Sequence, residues 1–309
     1  SSANTERLDH IFDSINFKSK NFFIHYGDVT DSSSTLSLIN KIKPDEIYNL
    51  AAQSHVRVSF DIPEYTADIT ALGALRILES IRILKLKKVK YYQASSSEMF
   101  GKVLESPQTE KTPFYPRSPY AVSKVYSHMM TINYRESHNM HCSNGILFNH
   151  ESPLRGENFV TRKITLAFAR IFHGLQEALE IGNLDAKRDW GFAGDYVEAM
   201  YLMLQQKKPQ DYVISTGKTY SVRKFIEKVC KYMNIKIIWK NKGAKEVGIN
   251  KETNKIIVKV NPKFYRPAEV DYLLGNSSLA KKNLKWKPKH NFDELVEMMI
   301  KSDLESINK

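Results

Sequence analysis

The amino-acid sequence predicts an α/β protein in which helices cover both faces of a mostly parallel sheet. Strand-like and helix-like apolar segments alternate along the first two thirds of the 309 residues, and parallel strands need a crossover, usually helical, between them. Hydrophobic residues make up 42% of the chain, which is enough for one large core or two modest cores. The sequence shows no internal repeat and no low-complexity tract, so a repeat architecture is not expected.

In the first part of the chain, the predicted strands and helices alternate without a break. Asp31 and Ser32 form a cap that begins the first helix, and Ser118 with Pro119 begins the last one. The long middle helix carries a stripe of apolar residues at helical spacing between Ile69 and Ile81. Strands are expected at residues 21–29, 46–52, 90–96 and 141–149, and helices at 32–42, 64–84 and 118–138.

After about residue 155 the pattern becomes mixed, which predicts a second, smaller α/β unit. We therefore expect two domains, residues 1–155 and 156–309, with some segments of the second returning to the main sheet. Helices are expected at 160–173, 195–206, 221–233 and 292–305, strands at 178–181, 235–240 and 255–260, and a polar loop at 183–190.

Composition and charge exclude several classes of function. The net charge of +12 comes from scattered lysines, without an aromatic-rich basic ribbon, so we expect mostly solvated surface lysines, a few that bind a small anionic partner, and no nucleic acid. No run of 18 apolar residues predicts a membrane span. Cys142 and Cys230 lie in separate segments, so neither a disulfide framework nor a metal site is expected. A reducing, cytoplasmic location follows as the expectation.

One expected motif is not found in this sequence. An α/β domain that binds a dinucleotide begins with a strand, a Gly-rich turn and a helix whose N-terminus holds the pyrophosphate. The sequence contains no G-x-x-G-x-x-G, and its first strand-like segment already has the features of the second half of such a unit. We therefore expect that one βαβ start, on the order of 30 residues, is missing from this chain.

The strongest chemical pattern is a tyrosine and a lysine four residues apart on a predicted helix. Tyr120 and Lys124 would lie on one helical face, where an ammonium group favours the phenolate over the phenol. Glu98 and the serines just before it follow the predicted strand at 90–96, and ligands bind at such strand ends. The alternatives are a chance Y-x-x-x-K and a serine-rich turn with an exposed glutamate.

Longer motifs around these residues carry a family resemblance. Residues 91–124 read YYQASSSEMFGKVLESPQTEKTPFYPRSPYAVSK, which resembles the extended short-chain dehydrogenase/reductase family and, within it, the GDP-mannose 4,6-dehydratases. The likeness continues through HYGDVTD, EIYNLAAQSHVRVSF, NGILFNHESP, NFVTRKI, GNLDAKRDWG and YRPAEVD. It implies a Rossmann-like doubly wound sheet, lacking its first strand and Gly-rich loop here, in residues 1–155. Residues 156–309 would mainly bind a GDP-sugar.

The resemblance also implies a reaction and its catalytic residues. GDP-D-mannose would lose water to give GDP-4-keto-6-deoxy-D-mannose, the first step towards GDP-fucose and related deoxyhexoses, with NADP reduced only transiently. Tyr120 would take the proton of the C4 hydroxyl, and Lys124 would hold the nicotinamide ribose and lower the pKa of Tyr120. Glu98 would remove the C5 proton. Glu98 or the hydroxyl of Ser96, which stands where threonine is usual in the family, would then assist the loss of the C6 hydroxyl as water.

Two sets of binding residues follow from the same resemblance. Those for NADP are Ser1, Ser2, Asp28, Val29, Leu50, Ala51, Ala52, Gln53, Ser54, Tyr65, Lys124, His150 and Arg155. Those for GDP-mannose are Tyr120, Asn149, Glu151, Val160, Lys163, Gly182, Lys187, Arg188 and Arg266. The two arginines suit a diphosphate because a guanidinium offers paired donors in one plane. A helix cap for Asp28, a buried strand end at 50–52 and surface ion pairs for the basic residues are the structural alternatives.

Further expectations concern assembly and competing functions. Relatives associate through helices like those at 64–84 and 118–138, so a homodimer or homotetramer is expected. One alternative function is another sugar-nucleotide epimerase or dehydratase, against which Glu98 and GNLDAKRDWG argue. The other is a non-catalytic remnant that binds a GDP-sugar, against which intact Tyr120, Lys124 and Glu98 argue.

Overall fold

The computed structural model describes residues 6–8, 11, 21–265, 268, 270 and 272–307. The strands are β1 (Glu46–Asn49), β2 (Lys90–Ser96), β3 (His141–Leu147), β4 (Asn149–Glu151), β5 (Leu179–Ile181), β6 (Lys187–Arg188), β7 (Trp190–Phe192), β8 (Tyr212–Ile214), β9 (Tyr220–Ser221), β10 (Ile237–Lys240), β11 (Val247–Asn250) and β12 (Ile256–Val260). The helices are α1 (Ser32–Ile42), α2 (Pro63–Ala67), α3 (Gly73–Ile83), α4 (Pro119–Ser137), α5 (Val160–Phe172), α6 (Ala193–Leu204), α7 (Val222–Tyr232), α8 (Ser278–Leu284) and α9 (Phe292–Ile307).

The main sheet has the order β1-β2-β3-β8, and all its strands are parallel. Successive residues of β2 face opposite sides, and both sides are buried. Tyr91 packs with residues of α1, α3 and α4, whereas Tyr92 packs with residues of α6 and α8. Helices therefore cover both faces of the sheet, which confirms the predicted fold class.

The strand predicted at 21–29 is wrong. Residues 21–28 have no regular secondary structure, and the side chains of Phe23 and Tyr26 are 67% and 95% exposed. In the described part of the chain, β1 has a neighbour on one side only, so nothing pairs with this segment. Strand formation needs a backbone partner, which local apolar character cannot supply. The adjoining cap is confirmed, since Asp31 accepts from Ser33 N at 2.8 Å.

A second sheet, mixed and of order β10-β11-β12-β5, forms with its helices what we call the second layer. Helices α5, α7 and α9 pack with this sheet around one apolar cluster that includes Phe168, Phe225, Val258 and Leu295. Strand β8 and helices α6 and α8 come after residue 155 but belong to the main sheet and its faces, while the domain boundary itself stays a prediction. The segment predicted as a polar loop, 183–190, is not a loop throughout. It contains the short strand β6, and its last residue, Trp190, is the first residue of β7.

No helix in the described ranges combines the length and the apolar character that a membrane crossing requires.

Candidate active site

A cavity of about 1150 Å³ lies between the carboxyl ends of the main-sheet strands and the second layer. This is the edge at which open parallel sheets bind ligands. One wall contains residues at the carboxyl ends of strands β1, β2 and β3, and the other contains Gly182, Arg188 and Phe264. Predicted site residues that line it are Leu50, Ala52, Ser54, Ser96, Glu98, Tyr120, Lys124, Asn149, His150, Glu151, Arg155, Val160, Lys163, Gly182 and Arg188.

Other predicted residues lie away from the cavity wall. Asp28, Val29, Ala51, Gln53, Tyr65 and Lys187 do not line it, and Ser1, Ser2 and Arg266 lie outside the described residues. Lys187 and Arg188 are successive residues of β6, so their side chains project to opposite sides, and only Arg188 is buried. The binding roles of these residues stay predictions.

Tyr120 and Lys124 lie in the first turns of α4 and line the same cavity. The helix begins there because Ser118 Oγ accepts from Ala121 N at 3.1 Å and Pro119 occupies the first turn. Both side chains are buried, with 9% of Tyr120 and 3% of Lys124 exposed. Lys124 Nζ donates to the carbonyl oxygen of Ala94 at 2.7 Å, which ties the helix to β2.

The expected lowering of the Tyr120 pKa is wrong for this structure. Burial raises the pKa of Tyr120 to about 12, against a smaller lowering by its hydrogen bond with Ser96. Lys124 directs a proton to Ala94 O rather than to the phenol, and its ammonium lies 5.8 Å from the Tyr120 ring centroid. Burial also lowers the pKa of Lys124 to about 8. Spacing alone predicted the shared face correctly but not the effect of desolvation on both groups.

Glu98 follows β2 in a short 3-10 turn, Ser97–Met99, which Ser96 caps. Ser96 Oγ accepts from Glu98 N at 3.2 Å, so the hydroxyl holds the backbone that carries the glutamate. Across the cavity, Arg188 Nε lies 4.0 Å from Glu98 Oε1. A carboxylate, a hydroxyl, a phenol and a guanidinium therefore surround one space, which suits proton transfer on a polar substrate.

A second group of polar residues follows β3 and enters α5. Glu151 is buried, and it pairs with Arg155 Nε at 3.1 Å and accepts from Thr161 Oγ1 at 2.6 Å. His150 Nδ1 donates to Phe148 O at 2.9 Å, and burial lowers the pKa of His150 to about 4. His150 is therefore neutral near pH 7 and offers Nε2 as an acceptor.

Cationic and aromatic groups meet at the second-layer wall of the cavity. Lys163 Nζ lies 3.2 Å from the centroid of the Phe264 ring. The close approach of Gly182 to Phe264 requires a glycine, because a Cβ at residue 182 would lie 2.7 Å from the Phe264 carbonyl oxygen. Burial lowers the pKa of Lys163, so this ammonium is partly desolvated and ready to pair with an anion.

Several residues that line the cavity were not identified as site residues from the sequence. The missed residues include Arg57, Asn158, Phe159, Lys263 and Phe264. Two of them could have been found from the sequence. Arg57 lies in the connection after β1, and Phe264 immediately precedes the YRPAEVD motif, so their closeness to a strand end and to a motif indicated that they belong to the site.

Comparisons with known proteins show which family this chain is similar to. A family model described as GDP-mannose 4,6 dehydratase matches residues 1–299. A GDP-mannose 4,6 dehydratase of Drosophila melanogaster is 56% identical over 311 residues, covering 100% of this chain and 79% of that protein. The enzyme of Homo sapiens is 53% identical over 307 residues, covering 99% and 82%. That of Vibrio cholerae is 53% identical over 313 residues, covering 98% and 84%.

Solved structures show the same fold at low sequence identity. RMD from Pseudomonas aeruginosa, complexed with NADPH, has a TM-score of 0.77 and 22% identity, covering 91% of this chain and 88% of that one. A dTDP-glucose 4,6-dehydratase from Bacillus anthracis, in complex with NAD, has a TM-score of 0.79 and 18% identity, covering 99% and 85%. A nicotinamide-binding α/β fold is thus common to both neighbours.

Proposed function

The chain belongs to the GDP-mannose 4,6-dehydratase family, and we propose that it converts GDP-D-mannose to GDP-4-keto-6-deoxy-D-mannose and water. The observation that carries this proposal is the convergence of Tyr120, Lys124 and Glu98 on one cavity. The purified protein, given GDP-mannose and NADP, should form a product lighter by one water without net consumption of cofactor. Mass spectrometry of the nucleotide sugar checks this, and an unchanged or merely epimerised sugar would contradict it.

The residues of the cavity divide the reaction between them. Tyr120 takes the proton of the C4 hydroxyl in its phenolate form, which its hydrogen bond with Ser96 favours. At the C4-ketone stage the C5 proton is acidic, and Glu98 removes it. The hydroxyl at C6 then leaves as water, receiving a proton from Glu98 or Ser96, and the C5=C6 alkene that results must gain a hydride at C6 and a proton at C5 to give the 6-deoxy sugar. These roles need ionisable groups within hydrogen-bond reach of one sugar ring, as general acid–base catalysis requires.

The cavity residues also fit a nicotinamide dinucleotide. Among the described residues, Lys124 Nζ donates to one acceptor, Ala94 O, which leaves two N–H groups for ribose hydroxyls. Leu50, Ala52 and Ser54 provide a wall after β1, where a dinucleotide would lie. The bound cofactor supplies the hydride acceptor and donor that make the cycle redox-neutral. We propose NADP on the family resemblance, and comparing turnover with NADP and NAD tests this choice.

GDP-mannose would occupy the side of the cavity formed by the second layer. We propose Arg188 and Lys163 for the diphosphate, with Asn149, Glu151, Val160 and Gly182 around the sugar and nucleoside. Both cations are at least half-buried, where a charge-assisted hydrogen bond is stronger than at the surface. Lys187 and Arg266 remain predicted substrate residues.

We expect Arg188→Ala to raise the KM for GDP-mannose by about tenfold or more, the scale of one lost charge-assisted contact. Its guanidinium lines the cavity and would pair with the diphosphate both before and during the reaction. Steady-state kinetics separate the two parameters. A fall in kcat with KM untouched would mean that Arg188 serves only its neighbour Glu98, whose carboxylate is 4.0 Å away.

We also propose that the chain forms a homodimer or homotetramer. The outer face of α4 exposes the apolar side chains of Val122, Tyr126 and Met129, and Leu72 and Ile83 are exposed in the α2–α3 segment. These are the helices that the family resemblance assigns to subunit contacts. Light scattering of the purified protein tests the assembly, and a monomeric mass would contradict it. The cytoplasmic location expected from the sequence stays a prediction.

A further inference from the structure

Helix α4 presents a third buried side chain on the face that carries Tyr120 and Lys124. His128 lies one turn beyond Lys124, and its Nδ1 atom is 3.0 Å from Ser95 Oγ. The three side chains contact three consecutive residues at the end of β2. Tyr120 hydrogen-bonds with Ser96, and Lys124 donates to the carbonyl of Ala94. The helix is thus tied to the strand on both sides of Ser95.

The direction of these hydrogen bonds can be worked out from Asn144. The side-chain amide nitrogen of Asn144, Nδ2, donates to His128 O at 3.2 Å and to Asp211 Oδ1 at 3.0 Å. Both of these oxygens can only accept. Its Oδ1 is therefore free to accept, and it takes the single hydroxyl proton of Ser95 at 3.3 Å. Ser95 must then accept from His128, so the imidazole carries its proton on Nδ1.

The network ends on a largely buried ion pair. Asp211 accepts from Arg135 Nη1 at 2.7 Å and from Arg135 Nη2 at 2.9 Å, and also from the backbone N–H of Asn144 at 3.0 Å. His128 and Arg135 both belong to α4, so one helix anchors the two ends of the network. Its members join α4, β2, β3 and the residue before β8. A buried network in which each donor finds an acceptor holds its members in one geometry.

The surroundings of His128 keep the imidazole neutral. The Phe114 ring meets it edge-on with centroids 5.1 Å apart, and His128 is 3% exposed. Burial lowers the pKa of His128 to about 4, with Asp211 and Arg135 acting in opposite directions. Near pH 7 the residue is thus a neutral Nδ1–H donor to Ser95.

We infer that His128 is a positioning residue of the active site, which acts through Ser95 on the end of β2. Ser95 lines the cavity and precedes Ser96 and Glu98, so its placement sets the backbone that carries both. The inference rests on the proposed dehydratase function, because its effect is measured on that reaction.

The test compares kinetics of the His128→Leu and His128→Asn variants with those of the parent protein. Leucine removes the donor, and we expect kcat to fall about tenfold, the scale of one lost buried hydrogen bond, with KM within about twofold. Asparagine can place an amide N–H near the position of Nδ1 and should restore most of kcat. Ser95→Ala should reproduce the leucine defect, and the double variant should be no worse than either single variant.

A matched control is available on the same helix. Thr131 is also buried, but its hydroxyl donates to the backbone of its own helix, to Ser127 O at 2.8 Å. Thr131→Val removes a buried hydroxyl without touching β2 and should keep the parent kcat. The inference is overturned if His128→Leu keeps the parent kcat, if His128→Asn does not restore kcat, or if Thr131→Val lowers kcat as much as His128→Leu does. If His128→Leu does not fold, the Ser95→Ala variant provides the test instead, and a parent-like kcat in Ser95→Ala would overturn the inference. An inactive parent would count against the proposed function instead.

Discussion

The Glu98→Gln variant, mixed with NADP and GDP-mannose in stoichiometric amounts, is expected to accumulate NADPH and a 4-keto-mannose intermediate. Glutamine keeps the shape and hydrogen-bonding reach of the side chain but cannot act as a base. Proton abstraction at C5 should therefore slow by about 10² or more, the usual scale for a general base. Oxidation at C4 depends on Tyr120 and Lys124, which the change does not touch.

The structure supports this separation of the two steps. Glu98 lies in the 3-10 turn after β2, whereas Tyr120 and Lys124 lie on α4. The capping hydrogen bond uses the backbone N–H of residue 98, so Ser96 can still hold the turn in the glutamine variant. The change consequently removes a charge and a basic site while the surrounding backbone stays in place.

Tyr120→Phe is the matched control in the same spectrophotometric experiment. It removes the group that takes the C4 hydroxyl proton, so almost no NADPH absorbance should develop. Absorbance at 340 nm, a general property of reduced nicotinamides, thus distinguishes the two variants in one cuvette. Turnover of Glu98→Gln at the parent rate would show that this glutamate is not the C5 base, and an epimerase function would gain support.

The second large effect concerns the stability of the fold. We expect Asp211→Ala to lower the free energy of unfolding by about 2–4 kcal/mol, somewhat less than for a fully buried pair, because the change leaves a largely buried arginine uncompensated. Arg135 and Asp211 side chains are 17% and 16% exposed, and Asp211 also accepts two bonds from Asn144. Urea unfolding, followed by circular dichroism, measures the difference in midpoint and slope.

An exposed ion pair provides the control for this variant. Lys236 Nζ and Glu252 Oε1 are 3.4 Å apart, with 74% and 59% of the side chains exposed. Glu252→Ala should change the stability by less than about 1 kcal/mol, as is usual for solvated pairs. Equal losses in the two variants would mean that burial adds nothing to the Arg135–Asp211 pair.

The same pair predicts a dependence of stability on pH. Burial by itself raises the pKa of Asp211, but the hydrogen bonds and charge of Arg135 outweigh it, so the pKa ends below its ordinary value. A carboxyl whose pKa is lowered by folding stabilises the protein above the unfolded pKa of about 3.9. This contribution is lost as the pH falls through the folded pKa, and it should be missing in Asp211→Ala.

Local sequence patterns determined most helices and strands of the protein. The predicted strand at 90–96 and the helix capped by Ser118 agree with the structure, because periodicity and capping act over a few residues. The convergence of Tyr120, Lys124 and Glu98 was also predictable. The end of a parallel strand and the start of the next helix necessarily meet at one edge of the sheet.

Only the tertiary structure decided which groups become buried and which strands find partners. The segment at 21–28 has no partner and forms no strand, whereas β8 joins the main sheet beside β3, far from it in sequence. Burial raises the pKa of Tyr120, contrary to the prediction from spacing. The contact of His128 with Ser95 spans 33 residues. Pairing and desolvation depend on neighbours that are distant in sequence, so no local pattern encodes them.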